Sequence, residues 1–146
     1  MRPVSHVIIS TGVSLAVYVW LHSISCAFFC LFAGVLIDVD HILDYFFCKK
    51  RIPFSYKELN DYCKFDVEGK ISVIFHSYEL VIVLWIVYTF FNSRVLLGIA
   101  IGATVHLLCD AFANPFKFKS YLLSYRHYHK YERKKFYVDG FFKDKK

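Results

Sequence analysis

Hydrophobic residues run almost unbroken over Val7–Leu21, Ile24–Ile37, Ile71–Phe91 and Val95–Leu108, and polar residues gather between and after these runs. A helix needs about 20 mostly apolar residues to cross a hydrocarbon core. The third run meets that length alone, and the other three reach it by including their polar ends. Backbone inside a bilayer must satisfy its own hydrogen bonds, so spans are helices or closed barrels, and long unbroken runs favour helices. The pattern therefore predicts an all-α polytopic membrane protein, an antiparallel bundle of four transmembrane helices with short interfacial helices.

The connections alternate in size. His22-Ser23 and Asn92-Ser93-Arg94 are tight, whereas Asp38–Lys70 and the tail after Cys109 are long and charged. Tight links join antiparallel neighbours, which puts both on one membrane side and the N-terminus, long loop and tail on the other. Of 18 Lys and Arg residues, Arg94 alone falls on the tight-turn side, so the positive-inside rule makes the long-loop side cytoplasmic. Within that loop, Ser55-Tyr56-Lys57-Glu58 has capping-box form, and Tyr56, Leu59, Tyr62 and Cys63 recur at helical spacing, predicting a short interfacial helix. The chain then reads as a four-helix membrane domain over residues 1–115, with an interfacial loop over 45–70, and a basic aromatic cytoplasmic tail over 116–146.

Composition agrees: 57% of the residues are hydrophobic and 20% aromatic, too apolar for an ordinary soluble domain. Arg2 ahead of an apolar run raises the question of a signal peptide, but no small-residue cleavage pattern follows Trp20 and Leu21. The five cysteines are odd in number and form no CxxC pair, and Cys26, Cys30 and Cys109 lie in apolar runs; they read as small buried hydrophobes. Zinc binding by Cys26 and Cys30 at i, i+4 is the rival reading. The Lys- and Arg-rich tail suits anionic headgroups; no motif points to nucleic acid.

The ionisable residues at the ends of the runs change the picture most. His6 opens the first helix; Asp38, Asp40, His41 and Asp44 close the second; His76 and Glu79 sit in the first turns of the third; His106 and Asp110 close the fourth. In an alternating bundle, the sequence start, end, start, end brings all of them to the cytoplasmic end. His41 with Asp44 and His76 with Glu79 are spaced i, i+3, and His106 with Asp110 i, i+4, as a shared helix face requires. Imidazole mixed with carboxylate is a ligand set for a divalent transition metal, zinc or manganese, as one or two ions. A solvated helix exit neutralised by Lys49, Lys50 or Arg51 would also account for Asp38–His41. Against that, Asp38, Asp40 and Asp110 are expected at helix C-termini, where the dipole disfavours an anion and a bound cation relieves it. The expected ligands are His6, Asp38, Asp40, His41, His76, His106 and Asp110, with Glu79 or Asp44 as general base. His22 lies on the far side, and His127 and His129, two apart, cannot share a helical face.

Ser5-His6, Asp38-Val39-Asp40-His41, His76-Ser77, and Gly102 with His106-Leu107-Leu108-Cys109-Asp110 together resemble a family of bacterial inner-membrane metal-dependent hydrolases that includes the LexA-regulated membrane hydrolases. The resemblance covers about the first 115 residues. Two departures stand out: Ile37 occupies the place of a Pro, and the surroundings of Ile71 and Ser72 replace a His-Arg-Gly, a loss for which Glu79 is placed to compensate. The resemblance implies a multi-pass protein of the bacterial inner membrane with both termini cytoplasmic.

The expected function is hydrolysis of a phosphoester in a lipid or membrane-associated substrate, because the ligands lie at headgroup depth beside basic residues. Two rivals use the same ligands without chemistry: a divalent-metal transporter or sensor, and a membrane subunit stapled by metal. A transporter needs polar access from both sides, and the outer halves of these helices offer little beyond Thr11, Ser14 and Thr89.

Overall fold

In the computed structural model, which describes residues 3–65, 69–139 and 141, every regular element is helical. Seven α-helices follow in order: α1 Pro3–Leu21, α2 Ile24–Leu36, α3 Val39–Lys49, α4 Tyr56–Phe65, α5 Tyr78–Phe91, α6 Arg94–Ala113 and α7 Leu123–Tyr128. Two 3₁₀ turns, Phe118–Tyr121 and Arg133–Lys135, complete the list among the described residues. Residues 1–2, 66–68, 140 and 142–146 lie outside the described residues, as do the side chains of Pro3, Tyr56, Lys64 and Phe65, and with them the expectations at Arg2 and Tyr56.

The chain forms two compact units, Met1–Asp38 with Tyr78–Asn114, and Val39–Ser77 with Pro115–Lys146. The first contains α1, α2, α5 and α6. Its tight turns are built alike: His22 (φ 48°) and Asn92 (φ 44°) adopt left-handed backbone after α1 and α5, and Ser23 and Ser93 stand as N-caps of α2 and α6. Ser23 Oγ accepts the Cys26 N–H at 3.3 Å. Within the unit α6 packs chiefly on α2, with α1 also against α2 and α5 against α6. Glycine makes the α2–α6 approach close. A Cβ at Gly98 would collide with the Cys26 carbonyl, and one at Gly102 with the Cys30 carbonyl.

Three segments, Val4–Leu21, Ile24–Lys49 and Arg94–Ala113, are long and apolar enough to cross a membrane, and α5 is a shorter apolar helix. At 1.5 Å per residue α6 is about 30 Å long, a hydrocarbon thickness. Val4, Ile8, Leu15, Val19 and Trp20 of α1 and Phe90 and Phe91 of α5 turn outward, an apolar surface that suits lipid. A membrane location fits the chain.

The third run departs from expectation. Helix α5 begins at Tyr78 rather than Ile71, so His76 precedes the helix instead of lying within it. Three backbone donors of Ile71–Phe75 are claimed elsewhere: Ile71 N–H donates to the Tyr131 carbonyl, Ser72 N–H to Asp44 and Phe75 N–H to Asp40. Val73 is left at φ 24°, a backbone a helix does not contain. Helix α6, by contrast, runs beyond Leu108 to Ala113, so His106 and Asp110 occupy its last two turns.

In the second unit Ile71, Val73 and Phe136 form a small core, with Phe116 and Tyr125 packed against it. Antiparallel bridges join Lys70 to Glu132 and Phe116 to Tyr137. The tail is thus folded over 115–139, and two of its basic residues, Arg126 and Arg133, are interior. Lys119, His127, Lys130, Lys134 and Lys135 remain exposed. The helix expected within the long loop is α4, where Ser55 Oγ accepts the Glu58 N–H and Glu58 accepts the Phe54 N–H.

Candidate metal centre

His6 lies on the buried face of α1 and His106 and Asp110 on that of α6, while Asp38 follows the end of α2. Each of these four offers a ligand atom, and all four atoms lie within 4.8 Å of one another. The His6 and His106 rings stack, centroids 4.0 Å apart and 16° from parallel. His6 Nε2 is 3.0 Å from Asp110 Oδ1, and His106 Nε2 is 3.5 Å from both Asp38 Oδ1 and Asp110 Oδ2. The His106, Asp110 and His6 side chains are 0–3% exposed, and Asp38, at 27%, is the opening to solvent.

One hydrogen bond orients the His106 ring. His106 Nδ1 lies 2.8 Å from the Gly34 carbonyl, an acceptor only, so Nδ1 carries the hydrogen and donates. In the neutral ring Nε2 is then a lone pair aimed at two carboxylates. Either a proton on Nε2, which makes the ring an imidazolium donor to Asp38 and Asp110, or a bound cation completes this arrangement. His6 Nδ1 is buried without a hydrogen bond. Asp38 and Asp110 also stand at or beyond helix C-termini, where the dipole already repels anions. A divalent ion fits this donor set.

Asp40 corrects the expectation of a helix end. A turn at Ile37 and Asp38 separates α2 from α3, so Asp40 falls in the first turn of α3, where the dipole favours a carboxylate. In its own unit Asp40 Oδ2 accepts the Phe75 N–H at 2.9 Å, and His76 Nδ1 is 3.0 Å from Oδ1 and 3.2 Å from Oδ2. That carboxylate fixes the His76 ring by Nδ1, as a carboxylate does behind a metal-binding histidine. His41 lies beside it, ring centroids 4.7 Å apart, with Cys63 Sγ 3.6 Å from His41 Nδ1. The residues expected in one layer are therefore gathered as His6, Asp38, His106 and Asp110 in the first unit and Asp40, His41 and His76 in the second.

The two candidate bases have different surroundings. Asp44 is buried; Oδ1 accepts the Ser72 N–H at 2.8 Å, Oδ2 accepts the Tyr62 hydroxyl at 3.0 Å, and Arg133 Nη2 stands 3.7 Å away. Burial, reinforced by Cys48 and Asp44, pushes the Tyr62 phenol well above its usual range and keeps it a donor. Glu79 is half-buried in the first turn of α5, a favourable place for its charge.

Of the basic cluster, Arg51 pairs with Glu58, which also accepts the Tyr45 hydroxyl at 2.6 Å. The Arg51 bond, then Tyr45 and the Phe54 N–H, hold Glu58 down at about 2. His127 is exposed, and His129 packs on Tyr125 with ring centroids 4.5 Å apart. Sequence reasoning missed three participants. The Gly34 carbonyl has no side-chain signal, Cys63 was grouped with inert cysteines although it shares the inner face of α4 with Tyr62, and Arg126 looks like any basic tail residue.

Compared with protein-family models, with curated proteins and with solved structures, the chain matches none of them.

Proposed function

We propose that the protein is a membrane-embedded, metal-dependent hydrolase acting on a phosphoester of a lipid or membrane-associated substrate. The single observation that carries the metal reading is the convergence of His106 Nε2, Asp38 and Asp110 on one point while His106 Nδ1 is tied to Gly34. His6, Asp38, His106 and Asp110 would hold the ion, zinc or manganese by their chemistry. His41 and His76, backed by Asp40, offer ligands for another. Such an ion supplies Lewis acidity toward a phosphoryl oxygen and lowers the pKa of water. Glu79 is the remaining carboxylate of the first unit, and we assign it the proton-accepting role. Asp44, engaged with Ser72, Tyr62 and Arg133, we assign to bracing. The resemblance to bacterial inner-membrane hydrolases supports the reaction class.

Four crossings by α1, α2 with α3, α5 and α6, with both termini cytoplasmic, complete the proposal. The left-handed turns at His22 and Asn92 and the Lys and Arg distribution support it.

Metal quantification on detergent-purified protein, followed by assay against phospholipids and phosphomonoesters with zinc, manganese or magnesium, tests both halves. Metal-free protein prepared without chelator sinks the first, and absence of any released product sinks the second.

Burial favours a second reading, a structural staple, because only Asp38 of the four is open to solvent. In that case His106→Ala unfolds the protein as it removes the metal, whereas an enzyme loses turnover and keeps its fold. Metal uptake into proteoliposomes that disappears with Asp38→Ala would favour transport over both.

A further inference from the structure

His76 has no helix to hold it. It sits at the end of the irregular stretch 69–77, whose Val73 adopts a positive φ of 24° that a β-branched residue does not keep unless its surroundings impose it. Two kinds of grip impose it. Asp44 and Asp40 accept the N–H groups of Ser72 and Phe75. From α7, the Arg126 guanidinium donates to the carbonyls of Ser72 at 2.5 Å, Val73 at 2.7 Å and His76 at 2.8 Å. Arg126 is 1% exposed, so these carbonyls have exchanged water for its donors.

We infer that Arg126 is the positioning residue for His76, fixing its backbone through these carbonyls while Asp40 holds the ring at Nδ1. The inference rests on the metal reading for His76's role as a ligand. The side chain suits the task because its planar fork carries five N–H donors in fixed directions, enough to span carbonyls one and three residues apart in the chain. A lysine has one nitrogen at that depth. The folded tail is then part of the His41–His76 group through Arg126, which lies 50 residues beyond His76 in the sequence and is not itself a ligand.

The experiment compares full-length wild type, Arg126→Gln and Arg126→Lys in detergent, with the histidine ring nitrogens followed by NMR, first metal-free and then with cobalt(II). In metal-free protein, Arg126→Gln displaces the His76 ring resonances while those of His6 and His106 stay in place. Arg126→Lys displaces His76 alone and by less. With cobalt, the affinity read at His76 falls about ten- to a hundredfold in Arg126→Gln, the range for losing an outer-shell support, and falls less in Arg126→Lys.

Unmoved His76 resonances and unchanged cobalt affinity overturn the inference, as does equal movement of His6 and His106, which would mean general loosening. Should Arg126→Gln not fold, Arg126→Lys decides alone: a displaced His76 supports the inference and an undisplaced one overturns it. Wild type that binds no cobalt sinks the metal reading and His76's role as a ligand with it. Unshifted metal-free His76 spectra sink Arg126's role alone.

Discussion

The two units put the same residue types to different uses. In the first, carboxylates face imidazole nitrogens, and close helix packing on glycine sets the geometry. In the second, Asp40 faces His76, but carboxylates also accept backbone N–H groups and arginines donate to backbone carbonyls, so charge adds to the small apolar core of Ile71, Val73 and Phe136 in holding an irregular segment. A buried Asp is therefore uninformative until its partners are known. Asp110 and Asp44 are equally buried, yet one faces two histidines and the other holds a loop.

That contrast breaks first at the metal. On the proposed metal reading His106→Ala removes a direct ligand, and metal affinity measured by competition with a chromophoric chelator should fall by more than the roughly 100-fold that supporting residues command. Asp44→Asn should leave affinity in the first unit within about threefold, as expected of a residue outside the ligand set; a comparable loss would erase the distinction.

Packing comes next. Gly102→Val forces the Cys30 carbonyl away and should destabilise the first unit by about 3 kcal/mol, the upper range for overpacking. Hydrogen exchange should show α2 and α6 opening before α4 does. In the second unit, Asp44→Ala strands the Ser72 N–H and the Tyr62 hydroxyl, at a cost of about 2 kcal/mol. Exchange should then rise across 69–77 first.

The smallest expected effect is one of pH. Glu58 is held at about 2 by Arg51, Tyr45 and the Phe54 N–H, below an unperturbed value of about 4.3. A depressed carboxylate contributes above its unfolded pKa and loses that contribution as pH falls toward 2. Amide exchange at the start of α4 should rise over that window, and Glu58→Gln should abolish the pH dependence.

Much of the first unit was legible because helices apolar enough to span a membrane declare themselves by continuous hydrophobicity, and the Ser of each tight turn marks the next start. The pair His106 and Asp110 was legible for a related reason, since ionisable groups at the edge of an apolar run have few uses. The start of α5 was not legible, because Ile71-Ser72-Val73-Ile74 is as hydrophobic as a span while its donors go to Asp40, Asp44 and Tyr131, partners distant in sequence. Asp40 was assigned to a helix end for want of any signal of the turn at Ile37 and Asp38. Arg126 was invisible for the deepest reason: its ligands are backbone carbonyls, which every residue has.

Gly98 and Gly102 do more than let two helices touch. Seated against the Cys26 and Cys30 carbonyls, they act as a notch that stops α6 sliding along α2, and a slip of one turn, about 5.4 Å, would carry His106 away from Gly34. The alignment of His106 and Asp110 is thus set by backbone before any ion arrives. On the proposed metal reading, an ion entering so prepared a site would order little, and more of its binding energy would be left for affinity.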